Sequence, residues 1–168
     1  MSTFTESAHP RAATGRFTAV THGEPGLDLV LDPMRERLAA AVEVLEDFDD
    51  LEIMDHSPAR QGTVTLGELR DPRLALGNCW AATNEVIEEA GASAFGADWV
   101  DQITVKRRRL GGQHVAILVA DRHGMYVVDY TARQFSPDLP FPFVAGVKDW
   151  MAAVEKASGA KWEIDDQN

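Results

Sequence analysis

The chain has 168 residues, and its 16 Lys and Arg against 27 Asp and Glu give a net charge of −11. A hydrophobic fraction of 45% is typical of a globular protein with a hydrophobic core. The acidic balance argues against nucleic acid as a partner, because binding to its phosphate backbone needs clustered cations. The longest apolar run, residues 115–120, is too short for a membrane span, and the single cysteine excludes an intramolecular disulfide, so we expect a cytoplasmic protein with no membrane partner.

The first third of the chain predicts an arm followed by one helix. Residues 1–25 are rich in Ser, Thr, Ala, Gly and Pro without an apolar period, which predicts a flexible arm, with a partner-binding arm as the alternative. Residues 26–168 are predicted to form a single domain. Asp32-Pro33 supplies an N-cap and a first-turn proline for an amphipathic helix that reaches about Phe48.

The rest of the chain predicts short strands between two further helices. Strands are expected at 51–54, 62–66, 103–105, 114–120 and 125–130, a loop at 71–77, a four-residue hairpin turn at 121–124 and an extended, proline-rich loop at 136–143. One helix is expected from Cys79 to about Ala90, closed by Gly91, and the last over about 146–157. This order predicts an α+β fold in which an antiparallel sheet packs against the helix that begins at the cysteine.

Cys79 follows Gly77-Asn78 and opens a predicted helix. Unpaired backbone N–H groups and the positive end of the helix dipole surround such a position, and both favour the nucleophilic thiolate. The alternative is that Cys79 is a small apolar residue on the buried stripe of its helix.

His114 and Asp129 are predicted to meet near one end of the sheet. His114 opens an apolar strand after Gly111-Gly112-Gln113, and Asp129 ends the strand that returns from the hairpin. A carboxylate one strand away can accept a hydrogen bond from the imidazole and fix its tautomer. The alternative partner of Asp129 is a backbone amide of the turn that follows it.

The order Cys, His, Asp resembles the papain-like and transglutaminase-like superfamily. Within it, the chain is similar to small papain-fold glutamine deamidase domains of bacterial toxin systems, through Gly77-Asn78-Cys79-Trp80, Gln113-His114-Val115-Ala116 and the stretch from Val128 to Gln134. The likeness covers about residues 71–143 within a papain-like core of about 71–157. Papain-type enzymes carry a glutamine six residues before the cysteine, whereas position 73 is arginine here.

This resemblance implies a thiol hydrolase that acts on carboxamide or peptide bonds, most specifically a protein glutamine deamidase. Cys79 would be the nucleophile, His114 the base and Asp129 the residue that orients the imidazole. Asn78, Trp80 and Gln113 are the expected oxyanion and substrate-binding residues, with the backbone N–H groups of Cys79 and Trp80 as candidate donors; alternatively, Trp80 belongs to the core. A different class is also open, a non-catalytic binding or structural accessory protein, for example of a phage or another assembly, that retains the fold.

Lys106, Arg107, Arg108 and Arg109 form the one basic run in this acidic chain, and we name it the basic segment. It is predicted to be either a solvated edge or a docking site for an acidic substrate or partner. The sequence has no pair of cysteines and no histidines at helical i, i+4 spacing, so no metal site is predicted, and no cofactor is expected.

Overall fold

A computed structural model of the chain describes residues 33–165, apart from residues 60 and 110. The predicted arm at 1–25 and the predicted N-cap Asp32 therefore lie outside the described residues. The helices are α1 (Pro33–Glu46), α2 (Pro72–Ala75), α3 (Cys79–Ala94) and α4 (Val147–Ser158), with 3₁₀ helices at Leu66–Arg70 and Ala132–Gln134. The strands are β1 (Glu52–Met54), β2 (Thr63–Thr65), β3 (Trp99–Arg107), β4 (Gln113–Asp121), β5 (Gly124–Asp129), β6 (Phe143–Gly146) and β7 (Trp162–Ile164).

Five strands form an antiparallel sheet in the order β6-β5-β4-β3-β7, and β1 pairs with β2 separately. The predicted α+β class is confirmed. Strands β4 and β5 form the predicted hairpin, but its loop has two residues, Arg122 and His123, because Asp121 already pairs with Gly124. Gly124 has a φ of 133°, a conformation that a residue with a Cβ rarely adopts, so the glycine allows the tight return.

The sheet is covered on both faces, which explains the nearly continuous apolar run in β4. On one face Ile117 and Val128 pack with residues of α1 and α3, among them Leu45 and Val86. On the opposite face Ala116 and Val127 pack with Trp150 and Val154 of α4 and with Trp162 of β7. Each fully buried aliphatic or aromatic side chain contributes about 1.5–3 kcal/mol of transfer free energy.

The segment predicted as a loop at 71–77 contains the one-turn helix α2. The side chain of Asp71 accepts a hydrogen bond from the backbone N–H of Arg73, and Pro72 occupies the first helical position. Both features favour a helix start, but a helix of four residues is too short for an apolar period. In α3, Gly91 has a φ of 56°, so the helix is interrupted at the predicted stop before helical turns resume to Ala94.

Two edge strands were not predicted. β6 begins at Phe143, the last residue of the expected proline-rich loop, and β7 follows α4. Strands of four and three residues are too short to show the alternation that identifies a strand in sequence. β3 is also longer than the predicted 103–105. Among the described residues, no helix has the length and apolar character needed to cross a membrane.

Candidate active site

The turn before Cys79 is fixed to the loop that follows β1. Gly77 has a φ of 94°, and a Cβ at this position would lie 2.8 Å from the carbonyl oxygen of His56. Asn78 is fully buried; its Oδ1 accepts from the His56 N–H at 2.6 Å, and its Nδ2 donates to Asp55 Oδ1 and to the Leu74 carbonyl, both at 2.8 Å. The two residues therefore hold the start of α3 in place.

These contacts occupy both N–H bonds of the Asn78 side chain. The side chain therefore has no N–H left for an oxyanion, and its contacts are those of a residue that positions Cys79. The Asn78 side chain also makes no cap to the helix, so the first N–H groups of α3 are not occupied by it. N–H groups of a first helical turn have no acceptor within the helix.

Cys79 lies against the start of β4 and is partly exposed. Burial would raise the pKa of its thiol, but the hydrogen bond and charge of His114, aided by the backbone of Val115, outweigh burial and hold that pKa below its usual value. One turn later, Thr83 Oγ1 donates to the Val115 carbonyl at 3.4 Å, which fixes α3 against β4.

His114 is almost completely buried on the α4 face of the sheet, at the start of β4. Its Nε2 lies 2.7 Å from Asp129 Oδ2, as the hairpin register predicts: Ile117 pairs with Val128, which brings Asp129 opposite Ala116. Burial alone would lower the pKa of His114, but the charge and hydrogen bond of Asp129 outweigh it, and Cys79 adds to the shift. The pKa of His114 is raised to about 9.

Asp129 is a buried carboxylate with a full set of donors. Its Oδ1 accepts from the N–H of Thr131 at 2.9 Å and from Thr131 Oγ1 at 3.2 Å, and its Oδ2 accepts from Trp150 Nε1 at 3.0 Å. Burial would raise the pKa of Asp129, but His114, Trp150 and Thr131 outweigh burial and lower it. The two partners proposed from sequence, the imidazole and a turn amide, are therefore both present.

Gln134, in the second 3₁₀ helix, faces the other nitrogen of the imidazole. Its Nε2 lies 3.1 Å from His114 Nδ1 and donates to the Thr131 carbonyl, also at 3.1 Å. Since Nε2 of His114 faces Asp129, Nδ1 is the nitrogen left for the thiol of Cys79. Gln134 thus contacts the same nitrogen that the thiol needs.

Trp150, Thr131 and Thr83 are not among the residues that the sequence predicts for the site, and Gln134 is named only as the end of the stretch that carries the resemblance. Two of them had a usable signal. An Asp followed two residues later by Thr is typical of a turn in which the carboxylate binds the later N–H. A tryptophan on a buried helix stripe needs a partner for its indole N–H. The positions of Thr83 and Gln134 depend on how helices dock on the sheet, which no local pattern indicates.

The other predicted residues lie at the edge of the site or point away from it. Trp80 is 60% exposed, so it is not a core residue. Gln113 is exposed and precedes His114 in β4, so its side chain projects from the opposite face of the sheet. Arg73, which stands where papain-type enzymes have glutamine, is exposed and forms an ion pair with Asp71. Among the described residues, no group of three or more potential ligands is arranged to hold a metal ion.

The basic segment continues β3 past Val105, the residue that pairs with His114. Lys106 Nζ lies 3.1 Å from Asp165, Arg108 Nε lies 3.2 Å from Glu163, and the Arg107 guanidinium lies over the Trp162 ring at 5.1 Å. Arg107, Arg108 and Arg109 line a concavity of about 330 Å³ together with residues 159–161.

Comparison with known proteins adds no family: the chain matches no protein-family model, no curated protein and no solved structure. A thiol at a helix N-terminus, an imidazole beside it and a buried carboxylate behind the imidazole form an arrangement suited to nucleophilic catalysis.

Proposed function

We propose that the protein is a papain-like cysteine hydrolase that cleaves carboxamide or peptide C–N bonds, with Cys79 as nucleophile, His114 as acid and base, and Asp129 as the residue that orients the imidazole. One observation carries the proposal. The buried His114–Asp129 hydrogen bond of 2.7 Å turns Nδ1 of the imidazole away from the carboxylate, and the hydrogen bond and charge of His114 lower the pKa of the Cys79 thiol. A thiol that served only as a core residue would need neither partner.

The reaction follows from these positions. The thiolate attacks the carboxamide carbon, and the carbonyl oxygen becomes an oxyanion. His114 then gives its Nδ1 proton to the nitrogen, the C–N bond breaks, and ammonia or an amine leaves an acyl thioester on Cys79. Water attacks the thioester while His114 accepts its proton, and the products are a carboxylic acid and the free thiol.

Backbone N–H groups are the proposed hydrogen-bond donors that stabilise the oxyanion. In this proposal the N–H groups of Cys79 and Trp80 point from the first turn of α3 toward the carbonyl oxygen, where the helix dipole also favours negative charge. Gln113 would have to change its direction to assist. The exposed face of Trp80 and the nearby Leu76, 49% exposed, would contact the aliphatic part of a substrate side chain.

For the substrate we propose a glutamine side chain in a protein or peptide, in preference to a main-chain bond. An acidic part of that partner would dock on the basic segment, which lies at the same end of the sheet as His114. The mechanism requires a reduced thiol, in keeping with the cytoplasmic location that the sequence predicts.

The rate of iodoacetamide alkylation against pH tests the proposal, because Cys79 is the one cysteine of the chain. We expect a thiolate midpoint well below about 8.5 that rises in His114→Ala. His123→Ala, a change at the exposed histidine of the hairpin loop, is the matched control and should leave the midpoint in place. Alkylation that occurs only on unfolding, or that is identical in all three proteins, would contradict catalysis and favour a binding protein.

Ammonia release from glutamine-containing peptides then tests the reaction itself. Purified protein is incubated with peptides that contain glutamine, asparagine or neither, and the ammonia is measured by a coupled assay. We expect release from the glutamine peptides alone, and none with Cys79→Ala. Cleavage of the peptide chain without ammonia would redirect the proposal to a peptidase.

A further inference from the structure

We propose that Gln134 is a positioning residue for His114, whose side-chain N–H binds the Nδ1 lone pair and favours the imidazole that remains after the proton has left. The inference rests on the proposed function for its catalytic meaning. The quantities it predicts, the alkylation midpoint of Cys79 and the pKa of His114, are measurable without any substrate.

The orientation of the Gln134 amide is set by a group other than His114. Its Nε2 lies 3.1 Å from both the Thr131 carbonyl and His114 Nδ1. The opposite orientation would place the amide oxygen against the Thr131 carbonyl oxygen, and two acceptors repel each other. One N–H of Gln134 is therefore given to Thr131 and the other is directed at the imidazole.

An N–H directed at Nδ1 needs a lone pair there. With Nε2 hydrogen-bonded to the Asp129 carboxylate, a ring with a lone pair on Nδ1 is the neutral tautomer that carries its proton on Nε2. When Nδ1 is protonated, two donors face each other and the contact becomes unfavourable. A hydrogen bond to the neutral form of a base stabilises that form over its cation.

The groups around His114 act in opposite directions. The carboxylate of Asp129 on β5 and the thiol of Cys79 on α3 favour the imidazolium. Phe135 packs edge-on against the imidazole at 4.8 Å and Trp150 stacks at 6.0 Å, and neither carries a charge. Gln134 is thus the polar neighbour that opposes the cation.

This opposition has a use in the proposed reaction. The imidazolium must give its Nδ1 proton to the departing nitrogen, and a group that stabilises the resulting imidazole makes that transfer easier. The cost is a smaller thiolate fraction in the free protein. Gln134 therefore shifts the balance from nucleophile formation toward proton delivery.

Gln134→Met tests the inference, because methionine keeps the length of the side chain and removes both N–H donors. We expect the alkylation midpoint of Cys79 to fall by roughly half a pH unit to one unit, since a more stable imidazolium stabilises the thiolate. Gln61→Met, a change at an exposed glutamine in a loop, is the matched control and should leave the midpoint unchanged.

A second variant keeps the test decisive if the methionine protein does not fold. Gln134→Glu places an anionic acceptor at Nδ1, so the pKa of His114, measured by NMR of the imidazole nitrogens, should rise above the wild-type value, and where Gln134→Met folds its value should lie between the two. A merely structural role of Gln134 would not place the methionine value between those of wild type and Gln134→Glu. An unchanged midpoint, or a midpoint that rises in Gln134→Met because the amide donates to the thiolate, would overturn the inference.

The two proposals fail in different ways. If His114→Ala leaves the alkylation midpoint unchanged, the thiol–imidazole pair and the proposed function fail together. If His114→Ala raises the midpoint but the Gln134 variants do not alter it, the inference about Gln134 alone is wrong.

Discussion

Trp150 Nε1 donates to Asp129 Oδ2 at 3.0 Å, the same carboxylate oxygen that lies 2.7 Å from His114 Nε2. Helix α4 therefore contributes directly to the His–Asp pair, and the Trp150 ring also stacks on the imidazole. A carboxylate that shares one oxygen between two donors is held in a single orientation. The packing of α4 on the sheet therefore also determines how the Asp129 carboxylate orients His114.

Trp150→Phe should destabilise the protein by about 2–3 kcal/mol, because it removes a hydrogen bond to a buried charge and leaves a small void. Urea unfolding followed by circular dichroism measures the change. The matched control is Trp99→Phe, since Trp99 is 44% exposed and its replacement should cost less than about 0.5 kcal/mol. Equal costs for the two variants would mean that the indole N–H contributes nothing to stability.

Asp129→Asn should lower the pKa of His114 from about 9, because burial is then opposed by Cys79 alone and no longer by the carboxylate. The alkylation midpoint of Cys79 should rise in consequence. Any amidase activity should fall by about 10²- to 10⁴-fold, because the amide no longer fixes the required tautomer. Asp138→Asn, at an exposed position, is the control. A pKa of His114 that stays near 9 in Asp129→Asn would contradict this account.

The dependence of stability on pH should reveal the same pair. The folded pKa of His114 is raised from 6.5 to about 9, so its contribution to the free energy of unfolding is complete below pH 6.5 and is lost as the pH rises through 9. In Cys79→Ala, where the thiol cannot titrate, the free energy of unfolding should fall across this window by at most roughly 3 kcal/mol. The decline should disappear in Cys79→Ala/Asp129→Asn. A free energy of unfolding of Cys79→Ala that does not change between pH 6.5 and 9 would contradict this prediction.

The basic segment should bind acidic peptides. A fluorescein-labelled peptide of ten glutamates should bind the wild-type protein, weaken as salt is added, and bind about tenfold more weakly to Arg108→Glu/Arg109→Glu. Arg122→Glu/Lys148→Glu, at two exposed positions outside the basic segment, changes the net charge by the same amount and is the matched control. Fluorescence anisotropy measures each affinity. Equal binding by all three proteins would remove the basic segment from the proposal.

The meeting of His114 and Asp129 was predictable from sequence because it depends on one hairpin. Apolar runs on either side of a turn give both strands, and the turn gives the register to within a residue, which brings Asp129 opposite Ala116. The approach of Cys79 was expected from the superfamily resemblance. The imidazole lowers the pKa of the thiol through a hydrogen bond and its charge, while the catalytic role of Cys79 stays a prediction.

The contacts that complete the site were not predictable in the same way. Trp150 reaches Asp129 only because α4 packs on the same face of the sheet, and Gln134 reaches His114 through a 3₁₀ helix of three residues. Periodicity gives the buried stripe of a helix but neither its docking angle nor the rotamers on it. The sequence also did not indicate that the Asn78 side chain is bonded to a loop instead of being free for substrate. Its Oδ1 accepts from the N–H of His56, 22 residues earlier.

Gly77→Ala should disturb both the fold and the nucleophile. A Cβ there combines a φ of 94° with a 2.8 Å approach to the His56 carbonyl oxygen, so we expect a loss of about 3 kcal/mol or more and slower alkylation of the native protein. Gly112→Ala is the matched control: its φ is 100°, yet nothing lies within 4 Å of the added Cβ, so only the backbone strain of about 1–3 kcal/mol applies. Urea unfolding and the alkylation rate at one pH measure the two effects. If the variants lose equal stability and react at equal rates, the close contact with His56 does not hold Cys79 in place.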